Sequence, residues 1–189
     1  RSKLGIYKMK WLFLLVLIPT IRNLVFRTMI TFGIQYLTLK SIGLDLAGLA
    51  ITLFLLVDPI GTFFGGVLAD RYGYKNMLMI SGILGGIAAA FTFWSQGPVT
   101  LIPWLIMSFA FCLSNTPTVF ITQSLIPRNT NLATGLVFGL PMGLGGLGAA
   151  AFGKAADSMG LVATAKYLIV PVIVMICIIF MIPKEWKTA

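Results

Sequence analysis

Three charged side chains stand where charge is expensive. Arg22, Arg27 and Asp58 each fall inside a long apolar stretch of the chain. At the centre of a bilayer a charge costs at least ~2.5–3.5 kcal/mol on insertion scales, so each of the three should face protein or water. Their depth follows from helix geometry. Arg22 lies eleven residues past Trp11, and Asp58 lies eleven before Ala69. At ~1.5 Å per residue both sit ~16 Å from the same side, near the midplane of antiparallel neighbours. Asn115, eleven residues before Ile126, reaches the same level and completes a polar layer. A carboxylate there can take up and release a proton: apolar surroundings favour its neutral form, and a guanidinium nearby favours its charged form. Two readings follow, a proton-exchanging Asp58 for which Arg22 competes, or a permanent ion pair that only neutralises two buried charges. Arg27 is five residues beyond Arg22, about 140° round a helix, so the two are not expected to share one face. It either meets an anionic substrate or snorkels outward.

The elements that must position these residues are membrane helices. Apolar residues make up 58% of the chain, charged ones 10%, and mean hydropathy is +0.98. A soluble domain needs about 25% charged residues to wet its surface. With no histidine, two cysteines and five carboxylates, neither a histidine-based triad nor a zinc cluster is available. Enzyme function, cofactors and metals are not expected. The net charge of +9 forms no basic stripe and is not interleaved with aromatics, which argues against nucleic acid. Cys112 and Cys177 both lie in apolar runs and are expected to be buried free thiols.

Six stretches are long and apolar enough to span a bilayer: Trp11 to Leu39, Leu46 to Ala69, Met77 to Gln96, Leu101 to Ile126, Leu132 to Gly153, and Tyr167 to Ile182. The first imitates a signal peptide but has no small-residue cleavage site, and is read as a retained helix. The chain opens at Arg1 without a methionine, and a longer product is expected. With the N-terminus in the cytoplasm, inside segments hold Arg1, Lys3, Lys8, Lys10, Arg71, Lys75, Arg128, Lys184 and Lys187. Outside segments hold only Lys40, Lys154 and Lys166. Positive charge is retained inside, so both termini are expected in the cytoplasm.

The second stretch ends Gly66-Val67-Leu68-Ala69-Asp70-Arg71-Tyr72-Gly73, and the fifth ends Gly153-Lys154-Ala155-Ala156-Asp157-Ser158-Met159-Gly160. Gly, Ala, Asp and Gly recur at one offset, 160 − 73 = 87. Three helices separate the copies, so they leave on opposite faces. That is the signature of an inverted three-plus-three repeat, with units of approximately 1–97 and 98–189. In the first copy Asp70 is placed to face a helix N-terminus and Gly66 to admit a neighbouring backbone. Gly73 permits a turn with positive φ, and Arg71 and Lys75 hold the loop on the cytoplasmic side.

The loop Gly66-x-Leu68-Ala69-Asp70-Arg71-x-Gly73-x-Lys75 resembles the cytoplasmic signature of the major facilitator superfamily. Gln123-Ser124-Leu125-Ile126-Pro127, Gly135-Leu136-Val137-Phe138-Gly139, the glycine-rich run from Gly143 to Ala150, Phe54-Leu55 and Gly61-Thr62 are similar to the fosmidomycin-resistance type of drug exporter. The chain departs from that pattern at Tyr74, where a basic residue is usual, at Ser124, where an acid is usual, and at Pro141 and Asp58. The resemblance implies an all-α membrane protein, the C-terminal six-helix half of a twelve-helix fold, in a bacterial or archaeal cytoplasmic membrane. It implies proton-coupled efflux of small organic compounds, with the first and fourth helices on a central cavity and the third and sixth toward lipid. Expected partners are lipid, protons, a small-molecule substrate, and either an N-terminal half or further copies of this chain. Alternatives are a six-helix unit working alone as a homo-oligomeric carrier or channel, a scaffold without transport, and an uptake permease for organic anions. The fifth helix carries Gly135, Gly139, Gly143, Gly145, Gly146, Gly148 and Gly153, which suit close helix packing, and Pro141 is a candidate kink.

Overall fold

The computed structural model describes residues 2–127 and 129–182, with side chains from Met9 onward. Of the cations counted for orientation, Arg1, Arg128, Lys184 and Lys187 lie outside the described residues, as do the side chains of Lys3 and Lys8. The described residues form an all-helical, multi-pass bundle of six spans. The first span is α1 (Ser2–Leu39), the second α2 (Leu44–Tyr72) and the third α3 (Tyr74–Trp94). A 3₁₀ turn (Gly97–Thr100), α4 (Leu101–Cys112) and α5 (Asn115–Leu125) make the fourth. The fifth is α6 (Thr130–Met159), and α7 (Leu161–Tyr167) with α8 (Ile169–Met181) make the sixth. Helices satisfy their own backbone groups, which lipid cannot do for them. The hydroxyls of Thr20, Thr28, Thr52 and Thr118 likewise donate one turn back along their own helices.

The spans run longer than hydropathy suggested, and the breaks between them are correspondingly shorter. The second and third are parted by Gly73 alone (φ 89°, ψ 143°), and the fifth and sixth by Gly160 alone (φ 85°, ψ 141°). The sixth starts at Leu161, six residues before the expected Tyr167, because Lys166 lies within helix rather than in a loop. Interruptions at Leu113-Ser114 and at Leu168 come just ahead of Pro117 and Pro171. A proline ring removes the N–H that the carbonyl four residues earlier needs. The fifth span, by contrast, runs unbroken through Pro141.

Glycines set the packing. A Cβ on Gly61 would come within 2.9 Å of the Phe109 carbonyl, and one on Gly65 would strike the Leu113 carbonyl. The second span thus lies backbone to backbone on the fourth. The close backbone approach expected at Gly66 belongs to Gly65: Gly66 meets only the Thr116 side chain, at 3.3 Å. In the fifth span Gly145, Gly148 and Gly153 pack on Asn23, Leu24 and Phe32 of the first, whereas Gly135, Gly139, Gly143 and Gly146 meet nothing within 4 Å. Packing within this chain therefore accounts for three of the seven. The third span is the most enclosed of the six, with 56% of its most apolar window buried, against 22% for the second and 28% for the fifth. Within these six spans the open faces are therefore those of the second and fifth, and the third is held in. The cause is Gly82, Gly85 and Gly86, which draw the third span onto Ile179, Phe111 and Ile176.

Candidate functional site

The polar layer forms around the break in the fourth span. With Pro117 in its first turn, α5 cannot continue α4, and Ser114 and Asn115 are turned toward the first and second spans. Arg22, only 6% exposed, donates from Nη1 to Ser114 Oγ at 2.9 Å, and Ser114 Oγ donates to the Phe111 carbonyl at 2.7 Å. Asn115 Nδ2 donates to Thr62 Oγ1 at 2.7 Å and to Asp58 Oδ1 at 3.3 Å, while Thr62 Oγ1 reaches the same carboxylate oxygen at 3.4 Å. The Cys112 thiol lies beside both Asp58 and Arg22. Asp58 is half-buried and is held by neutral donors on one side only.

Of these groups Arg22, Asp58, Cys112 and Asn115 line an open cavity of about 400 Å³. Arg22, Asp58 and Asn115 are brought together as depth alone suggested, but Arg22 and Asp58 do not form an ion pair; the arginine is bound to Ser114 instead. Arg27 corrects the expectation more directly, for it lines the same cavity as Arg22. The cavity takes in Arg22, Phe26, Ile30, Asn23 and Arg27, an arc of about 140° on the first span. The angle was right, but the cavity is wide enough to hold both edges of it. Arg27 makes no hydrogen bond or ion pair with any described residue. Phe26 packs on Phe54 (4.9 Å between centroids), Phe54 on Trp104 (5.2 Å) and Trp104 on Tyr36 (6.0 Å). This aromatic seam fixes the first span against the second and fourth beside the cavity. Phe138 and Met142 of the fifth span close the far wall. A separate groove of about 280 Å³ between Met9–Thr20 and Leu136, Leu140 and Leu144 is almost wholly apolar and offers nothing to orient a polar ligand.

Cys112, Ser114, Thr62, Asn23, Phe138 and Met142 were not named from sequence as site residues, although Cys112 was expected buried and Thr62 and Phe138 lie in the stretches that carry the family resemblance. Only Ser114 had a legible signal, as a small polar residue just ahead of a mid-span proline. Cys177, expected buried, is exposed, whereas Cys112 is buried; both are free thiols.

The second group of site residues, the Gly66–Lys75 loop, stands apart. Asp70 is twelve residues from Asp58, ~18 Å along the helix. It is exposed, and its Oδ1 accepts from Tyr74 Oη at 2.8 Å. Arg71 is exposed and its guanidinium lies over the Tyr72 ring at 5.5 Å. Gly73 takes the positive φ expected of it. Lys75 donates to the Ile182 carbonyl and so ties the turn to the end of the sixth span.

Residues 11–187 match the family model of the Major Facilitator Superfamily. The chain is 34% identical over 139 residues to YfnC of Bacillus subtilis, described as an uncharacterized MFS-type transporter; the match covers 72% of this chain and 33% of that protein. It is also 34% identical over 129 residues to the fosmidomycin resistance protein of Escherichia coli, covering 63% of this chain and 30% of that one. Among solved structures it is similar to the proton:xylose symporter XylE bound to 6-bromo-6-deoxy-D-glucose. The TM-score is 0.65 at 14% identity, over 94% of this chain and 46% of that one, a likeness of fold alone. The chain thus spans about a third of the curated relatives that it matches.

Proposed function

The chain belongs to the major facilitator superfamily, and from that premise we propose that it is the six-helix half of a secondary transporter that exports small organic compounds in exchange for protons. The reading is of one bundle built from two three-span units that meet near Gly97, with both termini in a bacterial or archaeal cytoplasm. The exposed face of the second and fifth spans, with its four uncontacted glycines, suits a second six-helix half. Transport would then proceed by alternating access to the cavity between the halves.

The observation that supports proton coupling is the position of Asp58, a carboxylate at membrane depth that opens on a polar cavity and has no ion-pair partner there. Pro59 follows it and loosens the local helix. A proton reaching such a site crosses part of the membrane field, worth ~2.3 kcal/mol per charge per 100 mV over the full span. Arg22 stands on the same wall and would compete for the carboxylate in the alternate state. Asp70, held by Tyr74 in this half, is positioned to exchange that partner for a helix end of the other half. Efflux of drug-like compounds draws on the similarity to the fosmidomycin resistance protein.

The test is transport by the complete protein in proteoliposomes under an imposed pH gradient, with a panel of drug-like compounds. Asp58→Asn mimics the protonated form. It should abolish pH-driven transport and leave substrate exchange, which moves no net proton, partly intact. Full pH-driven transport by Asp58→Asn would overturn the proton role.

A further inference from the structure

We propose that the cavity selects organic anions, and that Arg27 is the residue that receives the anionic group. This rests on the reading of the cavity as a transport site and adds the substrate's chemistry to it.

Among the described residues two cations, Arg22 and Arg27, line the cavity against one carboxylate, Asp58. The excess positive charge is not distributed evenly between the arginines. Arg22 is buried and bound to Ser114, and it lies close to Asp58 and Cys112. Arg27 is half-buried and bonds to no described residue, although five N–H donors project from its guanidinium in a fixed fork. An unmatched charge at membrane depth is costly and persists where water or a ligand meets it. The fork matches the paired oxygens of a carboxylate, phosphonate or phosphate ester. The lining beside it tells what the rest of the ligand is. Phe26, Ile30, Phe138 and Met142 are the apolar part of the cavity that Arg27 lines, so the fitting ligand has one oxyanion and a compact apolar or aromatic body. Asn23 lines the cavity too, but one of its two Nδ2 donors is given to the Pro19 carbonyl at 2.9 Å, and a neutral amide offers no charge to an oxyanion.

The matched probes are benzoate and phenylphosphonate against benzamide, which keeps the ring and loses the charge. Binding to the complete transporter in detergent is read as the concentration that half-saturates the thermal shift. For the wild type, the two anions should bind and benzamide should not. Arg27→Gln should weaken anion binding by about 10–100-fold, the range for loss of a charge-assisted pair, and Arg27→Lys should restore part of it. Preference for benzoate or for phenylphosphonate separates carboxylate from phosphonate substrates. Equal binding of benzamide and benzoate, or wild-type anion affinity in Arg27→Gln with its unfolding midpoint unchanged, would overturn the proposal. Asp58→Asn distinguishes this from the proton reading. Loss of pH-driven transport in Asp58→Asn with anion binding intact supports both; the same loss with charge-blind binding by the wild type removes only the anion receptor, and normal pH-driven transport in Asp58→Asn with selective anion binding removes only the proton role.

Discussion

The first three spans and the last three are built on one plan and loaded differently. Gly73 and Gly160 stand at equivalent places and take nearly the same backbone angles (φ 89°, ψ 143° and φ 85°, ψ 141°). Each donates its N–H back to the alanine four residues earlier, at 2.8 and 2.9 Å. Gly61 lets the second span onto the fourth, and Gly148, at the same offset, lets the fifth onto the first. The chemistry does not follow the plan. The place of Asp58 is taken by Gly145 in the fifth span, and Arg71 by Ser158. Symmetric helix packing through small residues is therefore a frame, and the charged groups of the cavity are an addition to its first half. That division is sensible in lipid, where a helix pair packs through small residues and each buried charge needs its own reason.

The largest break in this comparison should come from the glycines that hold backbone against backbone. Gly65→Val drives a branched side chain into the Leu113 carbonyl, which a helix cannot move aside. The expected cost is ~3 kcal/mol or more, the upper end for overpacking, seen as a lower unfolding midpoint in detergent. Gly66→Ala, one position on, meets only a methyl of Thr116 at 3.3 Å and should be nearly neutral. Equal losses at the two positions would show that the second span is not seated on the fourth as described.

How much of this was legible beforehand depends on the kind of signal. Six apolar stretches and a recurring Gly-Ala-Asp-Gly pattern are periodic features, and they located the spans and both glycine turns. Depth counted along a helix correctly brought Arg22, Asp58 and Asn115 to one level, because rise per residue is fixed. Facing was not legible. Arg27 joins Arg22 because the cavity covers a wide arc of the first span, which is a property of neighbouring helices and not of that span. The hydrogen bond from Arg22 to Ser114 was missed because it depends on a helix break, and Pro117 was not weighed as its cause. Tyr74 was noticed only as a departure from a pattern; its bond to Asp70 is made across the Gly73 turn, between the end of the second span and the start of the third.

A smaller effect tests whether the two turns are equivalent in energy as well as shape. At φ near 85–89° and ψ near 141–143° a side chain is strained whatever room surrounds it, and an added Cβ meets nothing within 4 Å at either glycine. Gly73→Ala and Gly160→Ala should therefore each cost ~1–3 kcal/mol, by nearly equal amounts. Function should separate them, since only Gly73 carries Asp70 and Tyr74 beside it, so transport by the complete protein should fall further in Gly73→Ala. Unequal stability losses with equal transport would reverse the account, making the second turn the mechanical one.

The smallest expected effect concerns the helix ends. The Ser95 and Ile182 carbonyls are equivalent in position, and each accepts from a lysine, Lys40 and Lys75 respectively, although both lysines come from the first three spans. Lys40 is the more confined. It is 1% exposed, gives its ammonium to the Thr92, Phe93 and Ser95 carbonyls at 2.7, 3.3 and 2.7 Å, and lies 4.7 Å from the centre of the Tyr36 ring. Burial, and secondarily the positive charge of Lys166, push it down from 10.5 to about 8. The folded protein therefore binds this proton less tightly than the unfolded chain does. Between about pH 8 and 10.5 the unfolded state holds more protons, and stability should rise with pH across that window. Below pH 8 both states are protonated and the slope vanishes. Lys40→Met removes the titration together with the three hydrogen bonds, so the wild type should exceed it by ~1 kcal/mol or more near pH 7, and the gap should widen up to pH 10. Lys75→Met serves as the reference for losing a lysine from the matching carbonyl. A gap between wild type and Lys40→Met that stays flat from pH 7.5 to 10 would mean that the three carbonyls and the Tyr36 ring hold the charge on Lys40 more strongly than burial opposes it.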